Sequence, residues 1–433
     1  MGFVKKCPFE FSIQYPPRPE YFIEHFSSTP EIDRFQRSIP ELLYIHIPFC
    51  ETKCSYCFFA TDHRITSSRM ETYTNAILKE IEQYPLLKTM GVSCVDIGGG
   101  TPTILPESAL EKLLSTVSAF LKCNSSNANS IETTPKQASI YAEKLNTIHS
   151  YGFNRISMGV QSFSSILLKN INRQQHVEEV SRAIENIHKA GFERLNIDLI
   201  FGLPNQTLFL WKQDLTQAIS FKPDSITIYD CLYRGKGPTL AKNLFHLPRL
   251  DEIDRMYDWA YAYLTENGYY ADYGSVNFSR HDSETGTSEY FERRLLWGEP
   301  FLGLGNYATT LYKGFWLFNN YKVDDYVRNT NNGNSCVEYC YSLPLEELAA
   351  KHILFSLNYG KINIDHFHKL FGVSLNALYE PELAFAQNRG WIRYKHPNLY
   401  LNNENFSNLY FLRSLFYSRS AKQWFYSKCQ NGQ

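Results

Sequence analysis

From about residue 40 to residue 230 the chain alternates short β-rich runs with amphipathic helical stretches, and this alternation limits its fold more than any other feature. The runs are Leu42–Ile47, Ser93–Ile97, Ser130–Thr133, Arg155–Val160, Leu195–Phe201 and Ser225–Tyr229. Between the first two, Met70, Tyr73, Ile77, Ile81 and Tyr84 recur at three- and four-residue spacing, which places them on one helix face; Ser68 and Glu71 are the expected capping box. Leu110, Leu113, Val117 and Phe120 repeat the pattern, as do Val177, Val180, Ala183 and Ile187. Strands and helices that alternate in this way pair as parallel strands joined by right-handed crossovers. Six such units predict an α/β fold, a partial (β/α)6 TIM-like barrel whose functional residues gather at the C-terminal ends of its strands.

Four regions are expected. Residues 1–38, with Pro16-Pro17-Arg18-Pro19, read as an N-terminal arm, and residues 39–275 form the barrel. Residues 276–340, rich in Gly, Asn, Ser and aromatics, read as loops covering a substrate. Residues 341–433 read as a mainly α, winged-helix-like domain: helices over 345–357, 364–371 and 378–389 precede a hairpin of 391–394 with 398–401. A winged helix suggests DNA, but 43 Lys+Arg against 44 Asp+Glu argue against a nucleic-acid partner. No apolar run approaches the roughly 18 residues of a membrane span. The first residues carry no apolar signal core, and Lys6 breaks a myristoylation pattern, so a cytoplasmic protein is expected. In that compartment clustered cysteines ligate metal more often than they cross-link.

Of the ten cysteines, three stand in Cys50-Glu51-Thr52-Lys53-Cys54-Ser55-Tyr56-Cys57, directly after the first strand. Zinc prefers paired C-x2-C knuckles, and no second pair follows. Four-iron clusters are usually held by four thiolates, so three would leave one iron open to an outside ligand.

This C-x3-C-x2-C motif, with Tyr56 before its third cysteine, resembles the signature of the radical S-adenosylmethionine (SAM) superfamily. Tyr44-Ile45-His46-Ile47-Pro48-Phe49-Cys50 is similar to the oxygen-independent coproporphyrinogen III dehydrogenase branch, and the likeness runs through residues 40–230. The resemblance implies that Cys50, Cys54 and Cys57 hold a 4Fe-4S cluster. It further implies that the cluster, reduced by a flavodoxin- or ferredoxin-type donor, cleaves SAM to a 5'-deoxyadenosyl radical. The protein binds, orients and excludes water.

The same resemblance assigns the cofactor site. In Asp96-Ile97-Gly98-Gly99-Gly100-Thr101-Pro102 the glycines permit close backbone approach. Gly99, Gly100 and Thr101 take the role of holding the cofactor's amino group. Glu132 is the family's carboxylate for the ribose or amino end; by itself it would be an ordinary loop acid. Gln161, Arg173 and Asp198 resemble the cofactor-binding trio, against the alternative of an Arg173–Asp198 ion pair bracing the barrel. Tyr44, Tyr56 and a backbone contact at Leu232 complete the expected set, for one or two SAM molecules.

Two departures bear on the reaction. Phe59 stands where the coproporphyrinogen dehydrogenases carry a fourth cysteine, which turns the expectation from oxidative decarboxylation toward methyl transfer of the class C methyltransferase type. Thr287-Ser288-Glu289-Tyr290-Phe291-Glu292-Arg293-Arg294 stands where the branch's heme chaperones carry Asn-x2-Tyr-Trp. Leu302-Gly303-Leu304-Gly305-Asn306 keeps the branch's glycine-rich strand. The resemblance implies a small planar substrate, a tetrapyrrole or another conjugated molecule. Tyr290, Phe291, Tyr307, Tyr312 and Trp316 suit either a stacking surface for it or a plain aromatic core, and Arg293 and Arg294 are candidates to meet its carboxylates. Cys336 and Cys340 are two thiols, which seldom suffice for an auxiliary metal. A heme chaperone that binds without turnover and an iron-sensing winged-helix regulator are the alternatives.

Overall fold

The computed structural model describes residues 15, 37–122, 128–231 and 247–430. Six parallel strands form the centre: β1 (Leu42–Ile47), β2 (Cys94–Gly99), β3 (Asn129–Thr133), β4 (Arg155–Gln161), β5 (Arg194–Phe201) and β6 (Ser225–Asp230). They hydrogen-bond in chain order, with Leu42 beside Cys94 and Asn196 beside Ser225, as the alternation predicts. A short strand, β7 (Asn277–Ser279), caps the β6 edge antiparallel, so the sheet is not closed into a full barrel.

Helices of the predicted period cover the outside of the sheet. The one over Ser67–Glu82 turns Met70, Tyr73, Ile77 and Ile81 into the core, where Tyr73 and Ile77 are fully buried. Its N-cap is Thr66, whose hydroxyl accepts the Arg69 N–H, and not the capping box expected at Ser68; a residue with extended backbone geometry is needed there, and Thr66 has it.

The expectation of loops over residues 276–340 is corrected by the structure. Four further strands extend the sheet from the free edge of β1: β8 (Phe301–Leu304), β9 (Thr309–Tyr312), β10 (Phe315–Asn319) and β11 (Val337–Ser342). β8 pairs parallel to β1, and β9 to β11 follow antiparallel. Gly303 is required by this packing, since a β-carbon there would lie 2.3 Å from the Thr309 carbonyl oxygen.

A buried carboxylate joins the extension to the barrel. Glu80 accepts the Tyr326 hydroxyl at 2.6 Å, the Gly305 N–H at 2.8 Å, the Asn319 Nδ2 at 2.9 Å and the Cys336 thiol at 2.8 Å. Burial pushes its pKa up against the pull of these donors. Cys336 is thereby held by Glu80.

The C-terminal region has the expected winged-helix arrangement. Helices Leu345–Ser356, Ile364–Phe371 and Leu375–Asn388 accompany a three-stranded sheet of β12 (Lys361–Asn363), β13 (Ile392–Lys395) and β14 (Asn398–Leu401), in the order β12-β14-β13. The third helix starts three residues before its predicted position because Ser374 supplies the cap. Helices Asn408–Leu415 and Arg419–Gln430 follow. The region docks on the barrel through Tyr410, whose hydroxyl donates to Asp230 at the end of β6 (2.7 Å). Of the expected arm, only Tyr15, Arg37 and Ser38 are among the described residues; Tyr15 is buried, stacks on Tyr417 and accepts the buried Lys351 ammonium at its carbonyl.

Replacing Glu80 by Ala leaves four donors in the apolar interior without an acceptor. At roughly 1 to 3 kcal/mol for each unsatisfied buried group, partly relieved by water, the expected loss is about 3 kcal/mol in denaturant unfolding, and Glu80→Gln is expected to recover only part of it, because its amide nitrogen cannot accept.

Candidate functional site

β1 runs into Pro48, Phe49 and Cys50, and the loop that follows is tied at both ends. Cys50 N–H donates to the Asp62 carbonyl (3.2 Å) and Asp62 N–H to the Pro48 carbonyl (2.8 Å). The Asp62 carboxylate is held by Arg64 (3.1 Å) and Arg69 (2.5 Å), which keep its pKa low against the cost of burial. On the far side, Ser55 N–H donates to the Ile171 carbonyl (2.9 Å) and Asn172 Nδ2 to the Lys53 carbonyl (2.9 Å). The loop is thus fixed to the segment that follows β4.

Cys50, Cys54 and Cys57 are all free, half-buried, and face one cavity of about 380 Å³. Desolvation, reinforced by the two neighbouring thiols, pushes Cys50 up to about 12, while the Thr101 hydroxyl 3.8 Å away pulls it down. Three uncrosslinked thiols facing one cavity offer a metal cluster its ligands, although as they stand they are not drawn together into a metal-holding group among the described residues.

Gly99 and Gly100 form the adjoining wall. Gly99 has φ +110°, and a β-carbon there would lie 2.4 Å from the His46 imidazole; at Gly100 it would lie 2.6 Å from the Phe49 carbonyl oxygen. Both positions therefore demand glycine. Burial drives His46 down to about 4, so the ring that Gly99 packs on is neutral at ordinary pH.

The barrel interior supplies the rest through a period-two pattern. Asp96, Ser130 and Glu132, Arg155 with Ser157 and Gly159, Asn196 with Asp198, and Thr227 with Tyr229 all line the cavity, on alternate positions of β2 to β6. Glu132 lies within β3 and is no loop acid: its Oε2 accepts the Gly99 N–H at 3.0 Å. Burial, then Asp96 and Asp198, raise it to about 8. Asp96 takes the Ser288 hydroxyl at 2.6 Å and is raised to about 6, chiefly by burial. Asp198 accepts Ser157 Oγ (3.1 Å) and Asn196 Nδ2 (2.7 Å). Arg155, buried at the barrel floor, donates to the Gly286 carbonyl at 3.0 Å and opposes the three acids.

At the end of β4 the pairing register with β5 shifts between Gly159 and Gln161, and Gln161 adopts φ +70°. This irregularity aims the side chain into the cavity, where its Oε1 is buried with no hydrogen-bond partner. Arg173 donates to the Gly159 carbonyl, to Gln175 (3.0 Å) and to Cys54 Sγ (3.7 Å). The alternative of an Arg173–Asp198 ion pair is therefore overturned: each side chain has other partners. An orphaned acceptor at Gln161, a glycine cradle and three free thiols around one cavity fit a cluster with a polar ligand beside it.

The structure brings together Cys50, Cys54, Cys57, Tyr56, Gly99, Gly100, Thr101, Glu132, Gln161, Arg173 and Asp198 on one cavity. It does not bring Tyr44 there; that ring stacks on Tyr290 (5.8 Å) and its hydroxyl lies 3.3 Å from His46 Nδ1. Leu232 lies outside the described residues. Most of the expected stacking group is core or scaffold. Tyr290 packs with Leu42 and Phe301, Trp316 with Tyr341 and Leu354, Tyr312 meets Ser38, and Tyr307 sits edge-on to His46. Arg293 pairs with Glu299 (2.7 Å), and Arg294 lies over the Phe301 ring (4.2 Å). Of that group Phe291 reaches the cavity, joined by Phe58 and Phe59, whose rings stack at 4.6 Å. The sequence reading missed Asp96 and Arg155, although polar residues at alternate positions of otherwise apolar strands were the available signal.

Comparison with known proteins places the family and the fold. A model of the radical SAM superfamily matches residues 44–213. The chain is 29% identical over 373 residues to the heme chaperone HemW of Bacillus subtilis (strain 168), covering 83% of this chain and 95% of that one. It is 30% identical over 288 residues to HemW of Synechocystis sp., covering 64% and 67%. It is 26% identical to the oxygen-independent coproporphyrinogen III oxidase of Escherichia coli (strain K12) across 78% of each. Among solved structures, coproporphyrinogen III oxidase (HemN) from Escherichia coli shares the fold, with a TM-score of 0.77 and 20% identity over 96% of this chain and 98% of that one.

Because the folded protein binds the Glu132 proton more tightly than the unfolded chain, with about 8 against 4.5, this group makes the cluster-free protein less stable as pH rises between those values. Glu132→Gln removes the effect. Its melting temperature relative to wild type is expected to rise from pH 5 to pH 8.5 in a thermal-shift series, and parallel curves would show that Glu132 titrates normally.

Proposed function

As a member of the radical SAM superfamily, in the branch of HemW and the oxygen-independent coproporphyrinogen III oxidases, this chain is one for which we propose a catalytic role: generating a 5'-deoxyadenosyl radical from SAM and directing it at a tetrapyrrole or another flat conjugated substrate. One observation carries this reading. The three thiols and the strand-end residues Gly99, Gly100, Glu132, Gln161 and Asp198 share a single cavity, which the aromatic rings of Phe58, Phe59 and Phe291 also line.

In this reading Cys50, Cys54 and Cys57 hold a 4Fe-4S cluster. Such a cluster would supply the single electron that breaks a sulfonium bond, drawn from a flavodoxin- or ferredoxin-type carrier. The chain's own residues do the rest. The glycine wall lets the backbone approach the methionyl group, and Glu132, held by Gly99, offers its remaining lone pairs to an ammonium. Gln161 Oε1 accepts a donor that it lacks in the protein alone. Asp198, with Ser157 and Asn196 on one side, takes hydroxyl donors of a ribose. The apolar rim of Ile104, Phe58 and Phe291 keeps water from a reactive intermediate. Methyl transfer is favoured over decarboxylation because Phe59 occupies the position of the oxidases' fourth cysteine.

A second reading, a heme chaperone that keeps the cluster, is favoured by the two HemW relatives. Anaerobic reconstitution followed by incubation with methyl-labelled SAM, dithionite and either coproporphyrinogen III or heme separates the two. Label in product supports methyl transfer, and deoxyadenosine with carbon dioxide supports decarboxylation. Stoichiometric heme binding without deoxyadenosine supports the chaperone. Replacing any one of Cys50, Cys54 and Cys57 by Ala is expected to abolish the cluster's visible absorbance; a retained spectrum would refute the assignment.

A further inference from the structure

The two most exposed large apolar side chains among the described residues lie beside the cysteine loop. Ile166 is 69% exposed and Phe209 is 67% exposed. Each sits next in sequence to a residue that packs inward. Leu167 and Leu168 form a buried group with Ile171, Ile200 and Leu203, and Leu210 packs against it. Tyr56, between Cys54 and Cys57, packs against the same group. Ile166 and Phe209 are thus the solvent-facing side of an apolar layer whose inner side touches the cysteine loop.

The exposed charge of the segments that form this layer is mainly basic, and of the cations there Arg173 is turned inward to Cys54 and the Gly159 carbonyl. Segments 50–57, 164–173 and 203–213 contain Lys53, Lys169, Arg173 and Lys212, with Glu51 as their one acid. Lys136 already neutralises Glu51 at 2.5 Å. Lys169 is exposed, Lys53 is part of the loop itself, and neither enters an ion pair among the described residues. An exposed apolar centre rimmed by cations recognises an acidic protein with an apolar contact of its own.

We propose that the face formed by Ile166, Phe209, Lys53 and Lys169 is the docking surface for an acidic one-electron carrier protein. The inference rests on the radical-enzyme reading and adds the place where the electron enters. In the transfer the carrier loses one electron, the site held by the three cysteines gains it, and no proton or covalent bond changes hands. The apolar layer brings the carrier against Tyr56 and keeps water out of the contact, while the lysines orient it.

The test uses the reconstituted full-length protein and immobilised flavodoxin, an acidic flavin carrier, with binding read by surface plasmon resonance at low and high salt. Wild type is expected to bind more weakly as salt rises. Phe209→Ser combined with Lys169→Glu is expected to raise Kd at least tenfold. Both positions are exposed, so the cluster spectrum and the dithionite-driven cleavage of SAM remain at wild-type levels. Ile166→Ser, a milder change, is expected to weaken binding in the same direction. The proposal is overturned if the double variant binds flavodoxin and a ferredoxin as tightly as wild type does. It is also overturned if a photo-crosslinker at position 209 captures residues 232–246 of the same chain in place of the carrier. If dithionite-reduced wild type fails to cleave SAM, the radical-enzyme reading falls, and the binding measurements still decide the docking surface.

Discussion

The in-register parallel ladder from β1 to β6 is the constraint on which everything else depends. Each strand delivers its inward residues to the same interior, so residues distant in sequence, such as Glu132 and Asp198, meet without any loop having to place them. The order of hydrogen-bonded neighbours also sets the cysteine loop beside the glycine wall, since β1 and β2 are adjacent and their last paired residues are Ile47 and Gly99. A shift of one residue in that pairing would turn the polar set outward and the apolar set into the cavity.

The interior of this barrel is unusual in its polarity. Asp96, Glu132 and Asp198 surround the buried guanidinium of Arg155, so acids outnumber the base among them, and burial raises the pKa of all three acids. A cavity biased in this way attracts positive charge, and SAM carries it in both the sulfonium and the ammonium. The same electrostatics accounts for the separate roles of the two glycines and the acid beside them. Gly99 donates its N–H to Glu132 and removes one of the acid's lone pairs from competition, leaving the others for a ligand.

The sequence made the barrel legible because strand and helix periodicities are local properties, and all six strands appear within one or two residues of their expected ends. The cysteine motif and the strand-end residues were legible through spacing within that frame. Residues 276–340 were not, because β8 and β9 are only four residues each, and the extension is anchored by β8 pairing with β1, which is a long-range event. The aromatic cluster misled for a related reason: Tyr290 and Trp316 are buried by partners distant in sequence, so composition could not separate packing from stacking. Asp96 and Arg155 were concealed by the apolar residues around them, although their alternation was in plain view.

The Glu80 junction has a consequence for how the molecule can be divided. The acid sits on a barrel helix, whereas all four of its partners, Gly305, Asn319, Tyr326 and Cys336, belong to the extension that follows the barrel. A chain cut at residue 275 would bare the β1 edge and leave an acid stranded in apolar surroundings. The extension and the barrel therefore melt as one cooperative unit, and recombination between relatives would have to exchange them as a block.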